Sequence, residues 1–330
     1  MTVLYHEDDG DLSVLAGRQV AVIGYDGLGQ SFALNLRDSG IPIIVGVDER
    51  AQANAAAEDG LRAATIVDAV TDAQIILLLL PDENMAQIYI ERVAPHLERG
   101  DTLVFASGYN VAFGFIEAPP FVDVGLIAPR TLAAAVRERY LSEQGFYSLV
   151  AVGQDASRRT WPTVLALAKA VGSLKAGAIE VSIEQEAELD LFVQQAILPA
   201  FHHLMTTAAN LLLKMGYPAE AALSDLYISG EFTDYLRQAS AKGLLHALQQ
   251  TSLTNQYGTM SRMERFNDLK LERLMEITLE EIRRGGFAKE WAREYSTNSP
   301  RLKKLQKIQA EMDLWELEQQ TLEMLGRAVK

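Results

Sequence analysis

An aliphatic, partly β-branched run at residues 19–23 passes without interruption into Gly24-Tyr25-Asp26-Gly27-Leu28-Gly29. A helical pattern then covers residues 31–39 and stops at Gly40. Few local arrangements constrain a fold so tightly. A strand, a glycine turn and a helix N-terminus aim backbone N–H groups and the positive end of the helix dipole at one point, which suits a pyrophosphate. The second glycine of the usual fingerprint lets the backbone approach the phosphate; Asp26 stands in that place, with Gly27 just behind it. A carboxylate aimed at a pyrophosphate repels it, so either the Asp26 side chain turns to solvent or the loop shifts to use Gly27. The alternative is a strand-to-helix turn with no ligand.

Similar runs recur at 43–47, 75–80, 102–105, 124–127 and 148–152, separated by helix-periodic segments that end in Gly or Pro. This alternation predicts βαβ units, a parallel sheet with helices on both faces. Beyond residue 181 the strands cease. Long helical patterns rich in Ala, Leu, Glu and Gln follow, punctuated at Gly216-Tyr217-Pro218, Gly230 and Gly285-Gly286. The expectation is therefore a dinucleotide-binding α/β domain over 1–181 and an all-helical domain over 182–330, as a length of 330 residues also suggests.

A hydrophobic content of 48% suffices to fill two cores, and a net charge of −14 opposes association with a nucleic-acid backbone. The absence of cysteine removes disulfides, thiolate nucleophiles and sulfur-ligated zinc, and fits a reducing compartment. The first ten residues are acidic, unlike a targeting leader, and the longest uninterrupted apolar run, 75–80, falls far short of the roughly 20 residues of a membrane span. A cytoplasmic protein with a small-molecule substrate, and no nucleic-acid or membrane partner, is expected. His6, His96, His202, His203 and His246 show no metal-binding spacing.

Asp48, at the end of the second run, falls near the offset of the carboxylate that binds an adenosine ribose. Such a group accepts the two hydroxyls and repels a 2′-phosphate, which favours NADH over NADPH, although Arg50 nearby offers compensation. A solvated charge cluster, Asp48-Glu49-Arg50, is the plainer alternative.

Further along, Ala33-Leu34-Asn35-Leu36-Arg37-Asp38-Ser39-Gly40, Leu79-Leu80-Pro81-Asp82-Glu83, Phe105-Ala106-Ser107-Gly108-Tyr109-Asn110, Ala128-Pro129-Arg130, Gln154-Asp155-Ala156, Asp190-Leu191-Phe192 and Phe287-Ala288-Lys289-Glu290-Trp291 occur in one order. Their collinearity resembles ketol-acid reductoisomerase over nearly the whole chain. The resemblance implies a Rossmann domain followed by an all-helical, knotted domain that forms a homodimer and completes the active site at the interface. It places the nicotinamide cofactor on Gly24, Tyr25, Asp26, Gly27, Leu28 and Gly29, on Asp48, Glu49 and Arg50, and on Leu80, Pro81, Asp82, Glu83 and Met85, with Ser107 at its edge. It also implies two magnesium ions, held by an Asp-x-x-x-Glu helix and by glutamates of the partner chain.

The positions that carry the family's chemistry depart from its pattern. Its histidine is Ser107 and its lysine Arg130. Asp190 is kept, but the glutamate four residues later is Gln194, and the second acidic pair maps onto Asp225 and Ser229, with Glu231 close by. Ser252, Thr254 and Tyr257 fall where the family contacts its substrate.

Two aspartates do not offset the charge of two magnesium ions, so the expectation is hydride transfer without magnesium, from NADH or NADPH. A protonated imine needs no Lewis acid, and Asp190 with Asp225 would attract it, which favours C=N reduction. In that scheme Ser107, Gln194, Ser229 and Thr254 orient the substrate. The alternatives are a 2-keto acid or ketol-acid reductase with Arg130 clamping the substrate carboxylate, and a non-catalytic NAD-binding scaffold. Tyr227, Tyr235 and Tyr257 are further proton donors or plain core residues.

Overall fold

The computed structural model describes residues 2–327. It divides into two compact units, Met1–Asp190 and Leu191–Lys330. In the first, nine strands form one sheet: β1 Leu4–Tyr5, β2 Val20–Ile23, β3 Ile43–Gly46, β4 Ala63–Ala64, β5 Ile75–Leu78, β6 Thr102–Phe105, β7 Asp123–Pro129, β8 Ser148–Gln154 and β9 Ala178–Glu180, in the order β1-β9-β8-β7-β6-β5-β2-β3-β4. From β4 to β7 every pairing is parallel, in the doubly wound order of dinucleotide-binding folds.

An entirely parallel sheet was expected, and one part of it differs. Strand β8 runs antiparallel to β7 and β1 antiparallel to β9. The segment that follows β7 leaves and returns at the same end of the sheet, since Pro129 faces Ser148, so β8 has to run back.

Helices α1 Leu28–Asp38, α2 Arg50–Glu58, α3 Ile66–Asp72, α4 Asp82–Ile88, α5 Tyr109–Ala112, α6 Ala133–Leu141, α7 Thr160–Val171 and α8 Ile183–Phe192 complete this unit. Alternate residues of the central strands feed two separate cores, as a period of two dictates. Val20, Val22, Leu77 and Val104 pack with Phe32 and Leu36 of α1 and Val164 and Leu167 of α7. Ala21, Ile23, Leu78 and Phe105 pack with Ile66 and Val70 of α3 and Met85 of α4. Each of these buried Val, Leu, Ile, Phe and Met side chains contributes about 1.5–3 kcal/mol. Strands covered on both faces need no polar alternation, which is why VAVI, IILL and TLVF read as continuous apolar runs.

The second unit is helical: α9 Leu198–Lys214, α10 Ala219–Leu223, α11 Glu231–Lys242, α12 Leu244–Gln249, α13 Leu253–Met263, α14 Leu271–Arg283, α15 Gly286–Ser296, α16 Pro300–Ala310 and α17 Asp313–Met324. Ala209, Leu223, Ile228 and Leu314 form a small core, while Phe201, Leu204, Leu211, Leu245 and Tyr257 stay exposed. Three helical stretches widen into π turns, at Tyr89–Val93, Val193–Ile197 and Ser224–Ile228. By length and composition alone the helical stretch Ile183–Lys214 suffices to cross a membrane; scattered polar residues hid this from a count of uninterrupted apolar runs.

Candidate active site

The carboxyl ends of β2, β3 and β5 open into a cleft of about 370 Å³ whose lining includes Gly24, Asp26, Asp48, Leu80, Pro81 and Arg92. Gly24 has φ +95° and donates its N–H to the Gly46 carbonyl at 3.1 Å; a Cβ there would lie 2.6 Å from the Leu79 carbonyl oxygen. A Cβ on Gly29 would lie 2.3 Å from the carbonyl oxygen of Gly24, so α1 starts hard against the strand that feeds it. The turn resolves the ambiguity at Asp26. Gly27, with φ +44°, is the N-cap of α1, and the Asp26 carboxylate accepts from Gln52 Nε2 of α2 at 2.5 Å. A backbone cradle at a helix N-terminus beside a carboxylate after β3 fits a dinucleotide.

Tyr25 is a correction to the sequence reading of this loop. Its ring is buried, and its hydroxyl donates to Asp59 Oδ2 at 2.8 Å, behind the loop; only its backbone is left for a cofactor. Leu28 begins α1 and Glu49 is the N-cap of α2. Arg50, the first residue of α2, does not line the cleft. Asp48 is held at both oxygens, by the Ile66 N–H at 3.2 Å and by Arg92 Nη1 at 2.9 Å.

A second constellation gathers beyond β5, β6 and β7. Asp82 accepts from Ser107 Oγ at 3.2 Å and from Asn110 Nδ2 at 3.1 Å, which ties the Leu80-Pro81-Asp82-Glu83 turn to the Ser107 loop. Burial pushes the Asp82 carboxyl up to about 6 against these two bonds, with the negative charges of Asp190 and Glu83 adding to the rise. Ser107 Oγ thus helps to hold the Asp82 carboxylate in place.

Arg130, at the end of β7, donates to Glu186 Oε1 at 2.7 Å and lies 3.4 Å from Asp190 Oδ1. Glu186 is 1% exposed and takes the Gly108 N–H on its other oxygen at 2.6 Å. Burial raises its pKa, opposed by Gly108 and Arg130. Its position leaves no room at residue 108 for anything beyond glycine, since a Cβ would meet the Ile183 carbonyl at 2.6 Å. The guanidinium fork of Arg130 is therefore taken by carboxylates of α8 and is not open as a clamp for a substrate.

Glu186 and Arg92 are absent from the sequence reading. Glu186 carries a legible signal: it precedes Asp190 by four residues on an acidic helix and so shares its face. Arg92 carries none, because its partner lies 44 residues away.

In the helical unit, a cavity of about 620 Å³ brings Asp225 and Glu231 together with Asp234, Tyr235, Thr251 and Asn255. Ser229, Ser252, Thr254 and Tyr257 do not line it. Ser252 N-caps α13 through the Asn255 N–H at 3.2 Å, Ser229 Oγ accepts from the Glu231 N–H at 3.4 Å, and Tyr257 is exposed. Gln194 sits exposed in the π turn after α8, and Asp225 is the second residue of another such turn, Ser224–Ile228. Turns of this kind frequently mark functional positions. Tyr227 is bonded to Glu318.

Magnesium takes hard oxygen donors. Glu186 and Asp190 carry oxygens of this type on one helix face, both already paired with the Arg130 guanidinium. No group of three or more His, Cys, Asp or Glu placed to hold a metal occurs among the described residues.

Residues 14–177 match the family model of the acetohydroxy acid isomeroreductase NADPH-binding domain, and residues 183–326 that of the ketol-acid reductoisomerase C-terminal domain. The ketol-acid reductoisomerase (NADP(+)) of Methanothermobacter thermautotrophicus is 35% identical, covering 98% of both chains. That of Pyrobaculum aerophilum is 36% identical over 92% of this chain and 93% of its own. The structure of an NADH-preferring ketol-acid reductoisomerase from an uncultured archean superposes with a TM-score of 0.90 at 30% identity, covering 96% and 97% of the two chains.

These relatives overturn two expectations. A metal-independent imine reductase is set aside, because full-length similarity points to the reductoisomerase reaction in both domains. The exclusion of magnesium falls with it, since it rested on this chain's departures from the family's ligand pattern, whereas the similarity to ketol-acid reductoisomerases runs the whole length. With both domain models matched in order and relatives similar along the whole length, the chain belongs to the ketol-acid reductoisomerase family of NAD(P)H-dependent oxidoreductases.

Proposed function

We propose that the chain reduces a ketol acid with NAD(P)H, coupled to the alkyl shift of the reductoisomerase reaction. The observation that carries this reading is the Arg130–Glu186–Asp190 cluster beside Asp82 and Ser107, beyond strands of the sheet that holds the dinucleotide cleft. A 2-oxo carbon there takes hydride from the nicotinamide, and its oxygen takes a proton.

Arg130 orients Glu186 and Asp190 rather than touching substrate. Asp82, held by Ser107 and Asn110, supplies a carboxyl that changes charge near neutral pH. Glu186 and Asp190 would supply oxygen donors to a divalent ion, as would, in the helical unit, Gln194, Asp225, Ser229 and Glu231; such an ion would polarise the carbonyl and stabilise the developing alkoxide. Ser252, Thr254 and Tyr257 contribute to substrate binding.

A homodimer with shared active sites is part of this proposal. The exposed apolar side chains of the helical unit, among them Phe201, Leu204, Leu211 and Leu245, suit a second copy of the chain, in the cytoplasm, better than lipid. The test is oxidation of NADH and NADPH with a ketol acid and with a simple 2-oxo acid, each with magnesium and with EDTA. Magnesium-dependent turnover of the ketol acid is the expected result. Failure with both substrates, while the dinucleotide still binds, would refute the reading.

A further inference from the structure

The cleft that receives the adenosine end of the cofactor holds one cation in an unexpected place. Asp26, Asp48, Glu49 and Glu91 all line it, and Arg92 is the arginine or lysine among its lining residues. The sequence suggests Arg50 as the basic neighbour of Asp48, two residues on; the structure excludes Arg50 from the cleft and brings in Arg92, 44 residues away.

The placement is fixed by packing. Arg92 lies in the π turn Tyr89–Val93, both ends of which are buried, and the Tyr89 hydroxyl donates to the Glu117 carbonyl at 3.1 Å. Glu91, its neighbour, accepts from Gln87 Nε2 at 3.0 Å. Arg92 Nη1 therefore goes to Asp48 Oδ2 at 2.9 Å, while Asp48 Oδ1 is held by the Ile66 N–H at the start of α3.

We propose that Arg92 determines which dinucleotide the cleft accepts. This deepens the functional reading above and rests on its dinucleotide site. Paired with Asp48, the guanidinium is neutralised and holds the carboxylate with lone pairs left for the two ribose hydroxyls. A 2′-phosphate entering the same place meets four carboxylates and a cation already engaged. Without the Asp48 charge, the same guanidinium stands free at the position a 2′-phosphate would occupy. Discrimination against NADPH is thus a property of the pair, and phosphate recognition is latent in Arg92.

The experiment is a binding titration by nicotinamide fluorescence, with NADH and NADPH, of the full-length wild type, Asp48→Asn, Arg92→Ala and the double variant. Asp48→Asn should raise the affinity for NADPH relative to NADH at least tenfold, and adding Arg92→Ala should remove most of that gain. Arg92→Ala alone should weaken NADPH further, and NADH by less than threefold. Equal gains in Asp48→Asn and in the double variant, or no gain in either, would overturn the inference while NADH binding upholds the cofactor site. No saturable binding of either dinucleotide to the wild type would overturn the site itself and the inference with it.

Discussion

Asp82 provides a test of the site that does not depend on turnover. Its carboxyl titrates near 6 in the folded chain against a reference of 3.8, a difference of about 2 units, or ~3 kcal/mol at about 1.36 kcal/mol per unit. The sign follows from proton binding. Between these two values the folded chain retains a proton that the unfolded chain has released, so the group's contribution is intact below about pH 4, declines as pH rises, and is lost above about pH 6. Asp82→Asn removes the titration but keeps the geometry: the amide oxygen accepts from Asn110, and the amide N–H₂ donates to Ser107 Oγ, whose hydroxyl rotates to suit. Urea unfolding of both proteins at intervals from pH 4.5 to 7.5 isolates this group, because titrations not coupled to Asp82 cancel in the difference. The variant should gain on the wild type as pH rises and level off about 2–3 kcal/mol ahead above pH 7. A difference independent of pH, or one that shifts in favour of the wild type, would show that Asp82 ionises as an ordinary surface carboxylate and that the burial argument is wrong.

Two further outcomes follow from local packing. Gly29→Ala forces a Cβ into the Gly24 carbonyl 2.3 Å away; overpacking of this kind costs about 1–3 kcal/mol, and NADH affinity should drop at least tenfold because the cradle moves. Unchanged fluorescence titration would show that the loop does not hold the cofactor. Tyr109 has a buried hydroxyl with no hydrogen-bond partner, in a ring packed on Phe113 and Phe115. Tyr109→Phe should leave the melting temperature unchanged or raise it, by about 1 kcal/mol of stability. A clear loss would reveal a partner for that hydroxyl.

What the sequence by itself determined is the part governed by spacing along the chain. Continuous apolar runs gave β2, β5 and β6, and the glycine pattern placed a turn between β2 and α1. Collinear motifs identified the family, since their order survives substitution of individual residues. The reading failed where chemistry depends on residues brought together from a distance. Asp26 is met by Gln52, 26 residues on, yet still lines the cleft. Tyr25 looked like a cofactor contact, yet Asp59 holds its hydroxyl behind the loop. Glu186, 56 residues beyond Arg130, packs against both the arginine and Gly108, a contact that no spacing announces. Asp48 likewise meets Arg92 only because α4 and the π turn after it return beside the end of β3. Backbone conformation responds to neighbours within a few residues, so the elements were legible. A carboxylate's charge, orientation and affinity depend on burial and on whichever cation the topology brings beside it, and that is decided only when the sheet is assembled.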